Sequence, residues 1–161
     1  MGNSNMLSWI LTGVVSLLAI VAVGVAYYTV TATDNLSDAS HEVSVIAADV
    51  RQYYVGVGAT DFSDLSNQVA IKAGAGEFAQ TGTSNIRLPW PNSTLTLSGT
   101  TDTFLETATY VPASSCAPFA RGKKTISVTV NGQQLAPTDT AGIAQACGTT
   151  DENTVAFEFS R

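Results

Sequence analysis

Leu7-Ser-Trp-Ile-Leu-Thr-Gly-Val-Val-Ser-Leu-Leu-Ala-Ile-Val-Ala-Val-Gly-Val-Ala-Tyr-Tyr28 is a run of predominantly apolar residues without a single charge. As a helix rising about 1.5 Å per residue it would extend roughly 33 Å, the thickness of a bilayer's hydrocarbon core. It reads as a membrane span. The hydroxyls of Ser8, Thr12 and Ser16 can bond back to helix carbonyls, and Trp9 and Tyr27/Tyr28 lie near the ends, where interfacial aromatics collect. A buried core helix is the competing reading, but such helices rarely run this long uncharged. The wider charge pattern marks the same boundary. No Asp, Glu, Lys, Arg or His occurs from Met1 to Thr33, and the 13 acidic and 7 basic residues all lie from Asp34 onward.

A secretory signal peptide would need a basic flank and a shorter apolar core followed by a small-residue cleavage site. The flank Met1-Gly-Asn-Ser-Asn holds no Lys or Arg. The preferred reading is that a basic leader has been removed and that numbering starts at or near a mature amino terminus, with cleavage at Gly2-Asn3 as the alternative. The positive-inside rule gives no orientation from these flanks.

The whole chain of 161 residues is 45% hydrophobic and only 12% charged, so part of it is shielded from water. That length suits one domain with an appendage. A formal charge of -6 repels a phosphate backbone, which argues against direct nucleic-acid binding.

Past the apolar run the helical pattern continues. Leu36, Ala39, Val43, Ile46, Val50 and Tyr53 step by three and four residues along one face, with Asp38, His41, Glu42, Asp49 and Arg51 off it. The two halves together predict one helix from about Ser4 to Tyr54, about 75 Å long. Residues 1–33 form its uncharged half, 34–56 its amphipathic half, and 57–161 a globular head. Gly13 and Gly24 each cost roughly 1 kcal/mol relative to Ala and are the places where this helix would bend, or where it packs closely on another.

In the head, Ser63 as cap and Gly74 as stop predict a short helix over Asp64–Ala73, followed by a loop through Ala73-Gly-Ala-Gly. The two prolines around Trp90 read as a packed turn. Leu95/Leu97, Phe104 to Tyr110, Ile126/Val128/Val130 and Val155/Phe157/Phe159 alternate at period two and predict an antiparallel sheet of about four strands. The fold class is therefore α+β. Asn131-Gly132 is a turn signal whose partner strand is not obvious. Pro112–Arg121 and Asp139–Cys147 read as short helical or 3₁₀ pieces, the first interrupted by Pro118.

Cys116 and Cys147 are the only cysteines. In a membrane-anchored domain outside the cytoplasm they would meet oxidising conditions, and pairing would stabilise the fold by roughly 3 to 4 kcal/mol. Such a bridge would hold the strand Val155–Ser160 against the rest of the sheet. Two free thiols are the alternative, and a metal site is poorer, since two Cys and one distant His supply too few ligands.

Catalytic chemistry finds little support. The sole His, His41, adjoins Glu42 on a helix where consecutive residues diverge by about 100°, so the two do not form an acid–base pair. Asp61/Asp64 and Asp151/Glu152 read as caps of backbone amides, and Arg121 with Lys123-Lys124 as a solvated strand entry. No Gly-x-Ser-x-Gly, phosphate loop or dinucleotide fingerprint occurs. We expect no enzyme, cofactor or metal.

In order and spacing, the segments Val45-Ser...Val50-Arg-Gln-Tyr-Tyr, Leu65...Ala70-Ile-Lys-Ala-Gly-Ala, Ile86-Arg-Leu-Pro-Trp, Val111-Pro-Ala-Ser-Ser-Cys116, and Ala144-Gln-Ala-Cys147 before Asn153-Thr-Val-Ala-Phe-Glu-Phe resemble a type IV pilin. Essentially the whole chain is covered. The detail is similar to the type IVb group, and within it to the PilS-like major pilins of conjugative thin pili. Two features depart from the family. Asn5 stands where many pilins carry a Glu at the fifth mature position, and no proline interrupts the span, which leaves any opening of the helix to Gly13 or Gly24.

The resemblance implies the major structural subunit of an extracellular filament serving conjugation or adhesion. Such a subunit is inserted in the bacterial inner membrane as a monomer and then polymerised with copies of itself into a helical fibre at the cell surface. A prepilin peptidase, an inner-membrane platform, an assembly ATPase and an outer-membrane secretin would be its partners. Leu7, Trp9, Ile10, Leu11, Val14, Val15, Leu17, Leu18, Ile20, Val21, Val23 and Val25 would pack the filament core, and Leu36, Val43, Ile46, Val50 and Tyr53 would join helix to head. The alternatives are a minor pilin or type II secretion pseudopilin, which would share the helix but be scarce in the fibre, and a membrane-anchored periplasmic domain of other function.

Overall fold

The computed structural model describes the backbone from Asn3 to Arg161, and the side chains of Val14 and of residues 31–161. It divides into two units, residues 1–34 and 35–161. The first element, α1 (Asn3–Gly56), is a helix of 54 residues. The side chains of the expected span Leu7–Tyr28, and with them the filament-core set and the surroundings of Gly13 and Gly24, lie outside the described residues, except that the Val14 side chain is exposed. Among the described residues no helix is long and apolar enough to cross a membrane.

The head adds α2 (Asn67–Ala73), a 3₁₀ turn (Ala75–Phe78), β1 (Ile86–Arg87), β2 (Thr94–Gly99), β3 (Thr103–Val111), α3 (Ala113–Ala120), β4 (Ser127–Val130), β5 (Gln133–Leu135), α4 (Thr140–Ala146) and β6 (Asn153–Ser160). The sheet has six antiparallel strands in the order β1-β2-β3-β6-β4-β5. This corrects the expected four. The two extra strands are the edges, and at two and three residues they are too short to display an alternation. β5 is the partner of the Asn131-Gly132 turn, with Val130 opposite Gln133 and both turn residues at positive φ.

β6 lies inside the sheet, with Phe157 opposite Glu106 of β3 on one side and Val128 of β4 on the other. Strand order is set by long-range pairing and leaves no mark in a single strand's alternation.

The expected helix at Asp64 begins three residues later, at Asn67, because Ser63 and Asp64 are engaged elsewhere. Ser63 donates to Asp61 through both its amide and its hydroxyl, and Asp64 accepts from the Tyr54 hydroxyl at 2.5 Å. Asn67 then fastens α2 to β2. Its Nδ2 donates to the carbonyls of Ser84 and Leu95, and its Oδ1 accepts from the Leu97 amide. Asp139 caps α4 by accepting from the Gly142 amide. Pro118 sits inside α3, where its missing N–H removes one helical bond.

One hydrophobic cluster fills the head. Ala39, Val43, Ile46, Ala47, Val50 and Tyr54 of α1 are buried in it, and Leu36 and Tyr53 pack at its margin. The stripe shifts to Tyr54 at its end, as a 3.6-residue period drifts from a strict three-four step. A chain of rings then runs from Tyr54 through Phe62, Phe104, Phe159, Phe157 and Phe119 to Trp90, with centroids 4.8 to 6.4 Å apart. Each such pair contributes about 0.5 to 1.5 kcal/mol beyond the area it buries. At Gly99 the Phe62 backbone approaches so closely that a Cβ would overlap the Phe62 carbonyl.

Candidate subunit interface

Cys116 and Cys147 are joined by a disulfide, with Cα atoms 6.0 Å apart across a separation of 31 residues. Cys116 is fully buried on α3 and Cys147 caps the end of α4. The bond therefore ties two helices together instead of gripping β6 directly. The link to β6 is polar. Asn153, itself buried, donates to the Val111 and Thr150 carbonyls and accepts from the Gly148 amide and from Asn131. Asn131 also donates to the Ala146 carbonyl and accepts from the Thr154 amide. Two asparagines thus couple the α4 end, the β4–β5 turn and the start of β6.

Two groups of charged residues flank α1. On one flank, Arg51 donates from Nε to the Ser160 carbonyl at 2.9 Å, and its guanidinium lies 5.2 Å from the Phe159 ring centroid and 5.7 Å from that of Phe104. Lys123 reaches the same region, donating to the Phe119 carbonyl at 2.7 Å with its ammonium over the rings of Phe119 and Phe157. Burial lowers its pKa to about 8, against the opposing pull of Glu106. The basic cluster is thus no simple solvated strand entry. Only Arg121 and Lys124 of it are exposed. A cavity of about 270 Å³ opens among Ser44, Ala47, Arg51, Lys123, Lys124 and Phe159.

Glu106 faces inward from β3 between Phe104 and Ala108, and neither carboxyl oxygen has a hydrogen-bond partner. Burial holds its pKa well above the carboxylate range, although the nearby charges of Arg51 and Lys123 pull it down. It was missed in sequence, though one signal exists: a charged residue at an inward position of the Phe104/Glu106/Ala108 alternation.

On the other flank, Glu42 buries one carboxylate oxygen without a partner. Its pKa is pushed up to about 7, first by burial and then by the negative charges of Asp38 and Glu77. His41 is exposed. Asp61 is held below the carboxylate range by its bonds from Ser63, and Asp151 accepts from the Ala113 amide, so both serve the backbone as capping groups. Among the described residues no cluster of His, Cys, Asp and Glu could hold a metal ion.

What stands out is an arrangement of surfaces: a helix half embedded in a cross-linked α+β head, with opposite charges on its two flanks. No curated protein and no solved structure matches the chain. The PilS N-terminal family matches residues 33–160, from the first charged turn of α1 to the end of β6. On that match, which spans the helix half and the entire head, the chain belongs to the PilS N-terminal family and is a pilin-like, pilus-related protein.

Proposed function

We propose that the chain is the major subunit of an extracellular type IVb filament that serves conjugation or adhesion, and that its role is structural and not enzymatic. The observation that carries this reading is the division of labour along α1. Its charged half gives one face to the head, burying Ala39, Val43, Ile46 and Val50, while the chain before it runs from Met1 to Thr33 without an ionic side chain. An uncharged helix of that length needs either lipid or like helices around it. The inner membrane supplies the first before assembly, and a bundle formed by heterologous, open association of identical chains supplies the second.

Quantitative mass spectrometry of fibres sheared from cells carrying the whole assembly machinery should find this chain as the dominant species. Trace amounts would point to a minor pilin or pseudopilin. Finding only lipid-embedded monomer would refute the polymer reading. Scoring plasmid transfer in liquid and on surfaces after deletion of the gene separates mating from adhesion.

A further inference from the structure

The two flanks of α1 carry unlike charges. At about 100° per residue, Asp38, Glu42 and Asp49 fall within about 40° of one another, and Ser44 and Arg51 lie roughly 120° to 180° from them around the helix. The buried stripe of Ala39, Val43, Ile46 and Val50 lies between. The first flank is acidic and extends to Glu77 of the 3₁₀ turn, which acts electrostatically on Glu42. The second is the mouth of the cavity of about 270 Å³, to which Arg51, Lys123 and Lys124 bring three of the chain's seven basic residues and no acid contributes.

Each flank is incomplete by itself. Asp38 is exposed on the acidic flank, and the charges that act on Glu42 are the acidic ones of Asp38 and Glu77. Behind the cavity, Glu106 is the group that would neutralise Arg51 and Lys123, but burial favours its uncharged form, so the mouth stays positive. At about 30 Å³ per water, the cavity holds on the order of nine waters. That is room for one or two carboxylate side chains.

We propose that the cavity bounded by Arg51, Lys123 and Lys124 receives the acidic flank of α1, Asp38 and Glu42, from a second copy of this chain. The inference rests on the polymer reading above and names one contact within it. Unlike surfaces at opposite sides of one helix are what a heterologous, open interface uses, since each copy offers a donor surface in one direction and an acceptor surface in the other. Opposite charges there fix register and suppress wrong pairings.

The test uses the full chain assembled in cells. Asp38 and Lys124 are exposed, so reversing either charge leaves the head's packing intact. Asp38→Lys alone and Lys124→Glu alone should each lower the yield of sheared filaments about tenfold. The double variant, which restores the pairing in reverse, should recover to within about twofold of wild type. Trypsin resistance of the membrane-inserted subunit controls for folding. In parallel, Glu42→Cys combined with Lys124→Cys should give a ladder of disulfide-linked multimers in filaments, and neither single variant should.

Normal filaments from both single reversals, or losses that the double variant does not recover, overturn the contact. So do filaments that carry both cysteines and yield no ladder. Absence of filaments from the wild-type chain would instead refute the polymer reading, which keeps the two failures distinguishable.

Discussion

Reduction of the Cys116–Cys147 bond is the most informative single perturbation of this fold. With the two cysteines 31 positions apart, the bond removes loop-closure entropy from the unfolded chain worth about 4 kcal/mol at 25 °C. For a unit the size of residues 35–161, unfolding entropy is about 0.27 kcal/mol/K, so loss of the bond should lower Tm by about 14 °C. The geometry also says where the loosening falls. The closed segment carries β4, β5 and α4, the outer third of the sheet, whereas β2, β3 and β6 pair with one another outside it. The full-length subunit in detergent micelles, melted with and without a phosphine reductant and followed by near-ultraviolet circular dichroism, gives the shift. Hydrogen exchange on the same samples should accelerate most over residues 127–146, with the β2–β3 ladder still protected. A shift below about 4 °C, or exchange that rises evenly over all six strands, would refute the reasoning.

Glu42→Gln should stabilise the isolated subunit at pH 8 and leave it unchanged at pH 4. A carboxyl whose folded pKa is raised from 4.5 to about 7 binds its proton more tightly when folded, so it destabilises the fold progressively as pH rises through that window. The shift sets a ceiling of about 3 kcal/mol, and because the group is only half buried, screening reduces the expected gain to about 1 kcal/mol, readable as a pH-dependent difference in urea midpoint. Gly99→Ala should destabilise the head by about 2 to 4 kcal/mol, since the new methyl meets the Phe62 carbonyl and backbone must move; a loss under about 1 kcal/mol in the same titration would show that the approach relaxes freely.

The long helix and its buried stripe are legible in the residues themselves, because Ala39, Val43, Ile46 and Val50 keep a helical step and are the positions that the head buries. The core strands are legible for a similar reason, as in Val155, Phe157 and Phe159. Ile126 departs from its pattern. It continues the alternation of Val128 and Val130 but precedes β4 and is half exposed, since a periodic pattern does not say where cover from another element ends. The charged flanks were less legible still. Glu106, Arg51 and Lys123 come from three distant segments, and only the sheet and α1 bring them together. The pairing of two asparagines beside the disulfide has no sequence signature at all, since each is an ordinary turn residue until the other arrives.

The order of the strands has a consequence for synthesis. β6 is the sixth strand in chain order yet occupies the place between β3 and β4, so until Asn153–Ser160 have left the ribosome the sheet exists as two separate pieces, β1-β2-β3 and β4-β5. Neither piece has its partner, and the edges of β3 and β4 that pair with β6 stay open. Cooperative closure therefore waits for β6, and any nascent or truncated chain lacking β6 presents open strand edges that quality-control proteases and holdases recognise. A sheet that closes only on β6 lets the cell discard unfinished copies before they compete with finished ones.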